Sequence, residues 1–436
     1  MTSLAEVRLW GRRIGAASLE DGAAHAAFQY DPEFATSGIQ IAPLMMPLSD
    51  RVFVFPDLPV RTFKGLPGLL ADSLPDRFGN ALIDAWLATQ GRTPDSFNSL
   101  ERLCYVGARG MGALEFMPAL APQPQRSEKV AIDRLVELAS AVLTRRNQLS
   151  ASFDQPARES ALHDILQVGT SAGGARAKAV IAWNPQTQEV RSGQVAADAG
   201  FEYWLIKFDG VAGNKDKELE EPKGYGAIEY AYYHMARAAG ITMSECRLLE
   251  ENARRHFMTR RFDRLEGGAK LHMQSLAALA HYDFNSAGAY SYEQALLAMR
   301  RLELPMASIE EQFRRAAFNV IARNQDDHVK NIAFLMGRDG AWSLSPAFDV
   351  TYSYNPAGDW TSSHQMTLNG KRDGFTVADF TQFAKVASLK RGREKVILGE
   401  VREAVSGWPG FAEQAAVTVA WRDQIKRNLR LELPLK

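Results

Sequence analysis

The chain has only two cysteines in 436 residues, Cys104 and Cys246, far apart in sequence. That is too few for a disulfide framework and argues against a cysteine-ligated zinc site. It also has no surplus of either charge, since 51 Lys+Arg balance 51 Asp+Glu. Nothing global therefore advertises nucleic acid or an anionic membrane as a partner. No apolar run approaches the ~18 residues that suggest a membrane span. Charged residues follow too closely on Met1, at Glu6 and Arg8, for a signal peptide. Internal repeats and low-complexity tracts are missing as well. What remains is an ordinary globular composition, 46% hydrophobic and 23% charged, for which a cytoplasmic location is expected. The length calls for more than one core.

Three regions are expected: 1–122, 123–265 and 266–436. The first reads as mostly β, with short runs at Val7–Trp10, Ala26–Tyr30 and Arg51–Phe55 between Gly, Pro and Asp punctuation. One helix, Asp76 to Thr89, interrupts them with Phe78, Leu82, Ile83, Trp86 and Leu87 on one stripe. The segments Cys104–Gly107 and Gly112–Phe116 read as a closing strand pair. Pro118–Ser127 has a linker's composition. The second region combines a helix over 130–145, strands near Ala179–Trp183 and Glu202–Lys207, and a helix over 227–239 that ends at Gly240. The third is mainly helical, apart from a hairpin at Ile332–Leu335 and Trp342–Leu344.

The strongest local signal is Asn324-Gln-Asp-Asp-His-Val-Lys-Asn331. The preceding helix places Ile309, Phe313, Ala316, Ala317, Val320 and Ile321 on one face and stops at polar residues. The charged segment is thus left in a loop. Asp326 and Asn331 have the spacing of a phosphotransfer loop, in which an Asp accepts the proton of the attacking hydroxyl and an Asn five positions on holds Mg²⁺. After the hairpin comes Asp349, a second acidic ligand flanked by Phe348 and Val350. Upstream, Gly169–Lys178 is a small-residue loop whose backbone can approach phosphates closely, without Walker or Rossmann spacing. Lys207 ends an apolar strand, as a lysine that reaches the α- and β-phosphates does. Its partner acid is Glu229 on the next helix, or one of Glu218, Glu220 and Glu221. The order of these parts is that of an ATP-dependent kinase.

With these motifs in order, the chain resembles the HipA family of serine/threonine kinases, the toxins of bacterial type II toxin–antitoxin systems. The likeness runs over nearly the whole length. Its markers are Asp72-Ser-Leu-Pro-Asp-Arg-Phe-Gly79, Val106-Gly-Ala-Arg-Gly-Met-Gly-Ala-Leu-Glu-Phe116 and the loop Ser171 to Lys178. Arg261-Phe-Asp-Arg264, Asp326-Asp-His-Val-Lys-Asn331 and Ser345-Pro-Ala-Phe-Asp349 continue the series. The resemblance implies an α+β fold, with a β-rich N-terminal subdomain ahead of a two-lobed kinase-like core whose C-terminal lobe is helical.

By the same resemblance the general base is Asp326. The nucleotide-contacting loop is Gly173, Gly174, Ala175, Arg176, Ala177 and Lys178, and the phosphate lysine is Lys207. The inter-lobe hinge is Arg260, Arg261 and Phe262, whose backbone meets adenine. His328, Lys330, Asn331 and Asp349 complete the ATP and Mg²⁺ site, the last two as metal ligands. Autophosphorylation is expected at Ser171, with Thr170 as the competing position. The implied partners are a small helix-turn-helix antitoxin of the HipB type, operator DNA reached through that antitoxin, and a protein substrate. That substrate is a translation component, with an aminoacyl-tRNA synthetase the leading class. Two positions depart from the family's habit: Arg176 stands where Gln is frequent, and Arg260 where an acidic residue is. Two rival readings share these motifs, a small-molecule kinase of related fold and a degenerate kinase acting as a DNA-bound co-repressor.

Overall fold

The computed structural model describes residues 3–120, 127–144, 176–211, 215–216, 219–220 and 224–434. The expected α+β architecture is present: a β-rich N-terminal domain, then a core of two lobes, the second helical. The N-terminal sheet is antiparallel, in the order β4-β3-β2-β1-β5. Its strands are β1 (Leu4–Leu9), β2 (Arg12–Ser18), β3 (Ala27–Tyr30), β4 (Val52–Phe53) and β5 (Leu114–Met117). In β1 the alternate residues Ala5, Val7 and Leu9 are buried, and they join Phe28, Leu103 and Phe116 in one core. A period of two puts one face of a strand inward.

One expected element is corrected here. Cys104–Val106 is not a strand but the end of a helix, Ser99–Val106. Asn98 and Glu101 form a reciprocal capping box at its start, and such a box satisfies two otherwise orphaned N–H groups. Leu100, Leu103 and Cys104 then repeat at helical spacing and are all buried.

The Arg77–Thr89 helix does not pack on the N-terminal sheet. Phe78, Leu82, Ile83 and Leu87 instead share a core with Leu135 and Val136 of the Ile132–Thr144 helix and with Ile181, Trp204 and Ile206 of the first lobe. The boundary expected at 122 therefore does not separate two hydrophobic cores. The lobe's sheet runs β11-β12-β8-β6-β7, comprising β6 (Lys178–Trp183), β7 (Val190–Ser192), β8 (Glu202–Lys207), β11 (Cys246–Glu251) and β12 (Arg254–Arg260). A two-residue pair, β9 (Lys215–Asp216) and β10 (Leu219–Glu220), lies between. Every residue of β6 is buried, and its Ala179, Ile181 and Trp183 share a core with the Arg77–Thr89 and Ile132–Thr144 helices.

The second lobe is built round the Met306–Ile321 helix, whose Ile309, Phe313, Ala317 and Ile321 sit in the largest core. A three-stranded sheet borders it: β13 (His272–Ser275), β14 (Ala333–Met336) and β15 (Trp342–Leu344). The β14–β15 hairpin follows the sequence expectation, and β13 is an addition to it. Among the described residues no helix is long and apolar enough to cross a membrane.

Candidate active site

Strand register creates the first half of the site. Lys178 and Lys207 are direct partners across β6 and β8, so two ammonium groups share one face, both nearly fully buried. Like charges directly opposite each other destabilise a sheet. Three carboxylates from three other elements offset them. Glu229, in the Tyr225–Ala238 helix, lies 2.6 Å from Lys207 Nζ. Asp349, after β15, also pairs with Lys207. Asp76, at the start of the Arg77–Thr89 helix, lies 3.6 Å from Lys178 Nζ.

Glu229 is thus the acid that meets Lys207. Glu218, Glu220 and Glu221 fall outside what is described of the side chains. Arg176 adds a further cation on the same acid, Nη1 to Oε2 at 3.2 Å, with its guanidinium over Tyr225 at 4.8 Å. Burial pulls the Lys207 pKa down, but Asp349 and Glu229 outweigh it and raise it above its ordinary value. Partial burial pushes the Asp349 carboxyl up, yet Lys207 and Lys178 hold it well below the usual carboxylate range. Asp349 has φ of +52°, a left-handed conformation that is uncommon outside glycine. The turn aims its carboxylate back at β8.

The second half is the loop after the Met306–Ile321 helix. Two adjacent acids stand there, and the fold gives them opposite roles. Asp327 is buried and satisfied, accepting from Tyr292 Oη at 2.5 Å and Gln365 N at 2.7 Å, with His364 Nδ1 at 2.8 Å. It holds the loop against the 351–375 segment. Asp326 is half-buried, and its Oδ1 accepts the indole N–H of Trp360 at 2.6 Å. His328 Nε2 lies 3.9 Å from the same oxygen. Asn331 donates its side-chain N–H to the carbonyl of Asp326 at 2.9 Å, fixing its amide plane.

Asn331 and Asp349 line one cleft together with His328, Phe348 and Val350. Their amide and carboxylate oxygens are a hard donor pair that fits Mg²⁺, which takes few protein ligands and completes its shell from water and phosphate. Among the described residues no group of three or more His, Cys, Asp and Glu is poised to hold a metal by itself. The two-ligand set is therefore the one to consider.

The other expected residues are distributed as follows. Lys330 places its ammonium over the Phe284 ring at 4.9 Å. Ala177 belongs to the apolar core of the first lobe rather than to the charged face. The N–H groups of Arg260 and Arg261 donate to the carbonyls of Glu245 and Tyr203, so any adenine contact from this turn falls to Phe262 or to carbonyl groups. The Arg261 side chain turns away into a buried cluster with Asp263. Thr170, Ser171, Gly173, Gly174 and Ala175 lie outside the described residues. Sequence reading missed Trp360, which no spacing rule ties to a residue 34 positions earlier. It also passed over the chemistry of Asp76, although the motif containing it was noted.

Two family models match the chain. Residues 5–117 match the one described as the HipA N-terminal domain, and residues 170–408 the HipA-like C-terminal domain. Among solved structures, the chain is similar to one from the Shewanella oneidensis MR-1 toxin–antitoxin system, a complex of HipA, HipB and its operator DNA. That match has 15% identity and a TM-score of 0.67, covering 98% of this chain and 96% of the other. A Helicobacter pylori proinflammatory kinase, CtkA, matches at 12% identity and a TM-score of 0.38, over 59% of this chain and 90% of its own. None of the curated proteins matches.

Proposed function

The chain belongs to the HipA family, and from that premise we propose that it is an ATP-dependent serine/threonine protein kinase, the toxin of a toxin–antitoxin pair. One observation carries the catalytic part: Lys207 lies between Glu229 of a helix and Asp349 of the loop beyond the hairpin. That arrangement joins both lobes at the point where a triphosphate has to be held.

In this reading Lys207 and Lys178 bind the phosphates, and Asn331 and Asp349 would hold Mg²⁺. When bound, the metal neutralises charge on the transferred phosphoryl group. Asp326 orients the acceptor hydroxyl and takes its proton. The Trp360 indole N–H holds that carboxylate in place. Positioning and charge neutralisation account for most of the catalysis in phosphoryl transfer.

The substrate proposed is a translation component, an aminoacyl-tRNA synthetase by resemblance, and the partner a HipB-like helix-turn-helix antitoxin that carries the contacts to operator DNA. Autophosphorylation is proposed at Ser171. It adds about −1.5 to −2 charge to the phosphate-binding loop, which repels ATP. The test is incubation with γ-labelled ATP and a cytosolic extract. Label in protein, including this chain, is expected, and label confined to a metabolite favours the small-molecule kinase instead.

Two variants probe the assignments. Lys207→Met removes the shared cation of Glu229 and Asp349, and Mg·ATP affinity by calorimetry is expected to fall about ten- to a hundredfold, as for loss of a hydrogen bond to a charged group. Trp360→Phe keeps the ring but not the N–H. Single-turnover transfer is expected to slow by about tenfold, with Mg·ATP affinity unchanged. An unchanged rate would reduce Trp360 to packing.

A further inference from the structure

The stretch Asp72-Ser-Leu-Pro-Asp76 belongs to the N-terminal domain, yet both of its carboxylates face the two-lobed core. Asp72 accepts the N–H of Ser275 at 2.7 Å and its hydroxyl at 2.8 Å, at the junction of β13 with the Leu276–Ala280 helix of the second lobe. Asp76 spends one oxygen on its own helix, accepting the N–H of Gly79 at 2.6 Å. Its other oxygen, Oδ2, is buried without a hydrogen-bond partner and lies 3.6 Å from Lys178 Nζ of the first lobe. The two side chains are 4% and 3% exposed, so water does not screen the pair. A helix N-cap alone calls for no such contact, since capping uses only one carboxylate oxygen.

Lys178 needs a compensating charge. Burial lowers its pKa, Asp76 and Asp349 raise it, and Lys207 and Arg176 lower it further. The net result is a pKa below the ordinary lysine value, with those two carboxylates opposing the fall. The charged groups facing Asp76 are Lys178 and Lys330, and burial lifts its carboxyl to about 6. Asp349 pairs with Lys207, whereas the ion pair of Asp76 is with Lys178.

We propose that Asp76 is a positioning residue of the nucleotide site, holding the buried Lys178 charged and in register for a phosphate, so that the N-terminal domain completes the phosphate-binding apparatus of the core. This rests on the kinase reading above. Asp76 touches no substrate and acts through Lys178. Asp72 braces the same segment on the opposite lobe, which ties the lysine's position to the spacing between the lobes.

The test is calorimetric binding of a non-hydrolysable Mg·ATP analogue to the full chain between pH 7 and pH 9. Asp76→Asn removes the charge while keeping a good N-cap, and Asp76→Ser is a second neutral cap. Affinity is expected to fall about tenfold near pH 7.5, since an adjacent opposite charge shifts a pKa by one unit or more. The loss is expected to widen as pH rises, because the lysine then sheds its proton at a lower pH than in the wild type. In a Lys178→Met background Asp76→Asn is expected to have no further effect, the signature of two residues acting as a unit. Unchanged or tighter binding, a loss independent of pH, or full additivity with Lys178→Met would each overturn the inference. Wild-type protein that bound no nucleotide would overturn the kinase reading and this inference with it. A wild type that binds beside a silent Asp76→Asn overturns this inference alone.

Discussion

Asp326→Asn is expected to lower phosphoryl transfer by about 10²–10⁴-fold, the usual contribution of a positioned general base, while Mg·ATP affinity changes little. The substitution is a mild one for the loop. An asparagine oxygen still accepts the Trp360 indole N–H, and the neighbouring anchors through Asp327 are untouched. Stability is therefore expected to hold, and the measurement is label transfer from γ-labelled ATP beside calorimetric nucleotide binding. Retained transfer would remove Asp326 from the base role. The adjacent Asp327→Asn separates the two acids further. It disturbs a buried carboxylate bound to Tyr292, His364 and Gln365, so its cost falls first on the fold rather than on the chemistry.

Asp263→Ala is expected to destabilise the protein by about 3–5 kcal/mol, as when one partner of a buried ion pair is removed. Asp263 is fully buried and accepts from Arg261 Nη2, Arg264 Nη1 and Gly112 N, each at 2.7 Å. Truncation leaves two guanidinium groups buried without their acid. It also unfastens the N-terminal domain, since Arg264 donates to the carbonyls of Gly110 and Gly112. Gly112 has φ of +74°, and a Cβ there would meet Met273 N at 2.9 Å, so the glycine lets the two chains approach.

The pH dependence has a definite sign. Burial raises the Asp263 carboxyl, but Arg261 and Arg264 outweigh it and depress it well below the usual range. Its contribution is thus complete above the unfolded carboxyl pKa, about 3.9, and is lost as pH falls below that value toward the folded one. Urea unfolding followed from pH 7 down to pH 3 is expected to show this acid loss in the wild type and less of it in Asp263→Asn. An equal acid slope in both would refute the assignment.

Much of the proposed site is legible in sequence because the pattern of a phosphotransfer loop is one of local spacing. Asp326 to Asn331 is one loop, Asp349 ends the next hairpin, and Lys207 ends a strand whose apolar run is plain. Helix-period patterns placed the Arg77–Thr89 and Met306–Ile321 helices for the same reason: amphipathicity is a local record of which face is buried. Cys104–Gly107, the end of the Ser99–Val106 helix, reads as a strand because its apolar residues lie close to a glycine-rich turn, whereas the capping box that starts the helix lies upstream at Asn98 and Glu101. Side-chain destinations were less legible. Arg261 is one of the three expected hinge residues, yet its side chain turns toward Asp263 because that buried acid offers a better partner than solvent.

The sequence by itself determined that Lys207, Asp326, Asn331 and Asp349 occur in phosphotransfer order on an α+β framework, since each depends on neighbours a few residues away. Only the tertiary structure decided which of two adjacent acids, Asp326 or Asp327, is buried and held by Tyr292, His364 and Gln365, that Glu229 is the helix acid on Lys207, and that Trp360 and Asp76 reach these residues at all. The reason is physical. Burial and charge pairing are settled between segments tens to hundreds of residues apart, where the cross-strand register of Lys178 and Lys207 calls for carboxylates that no local pattern announces.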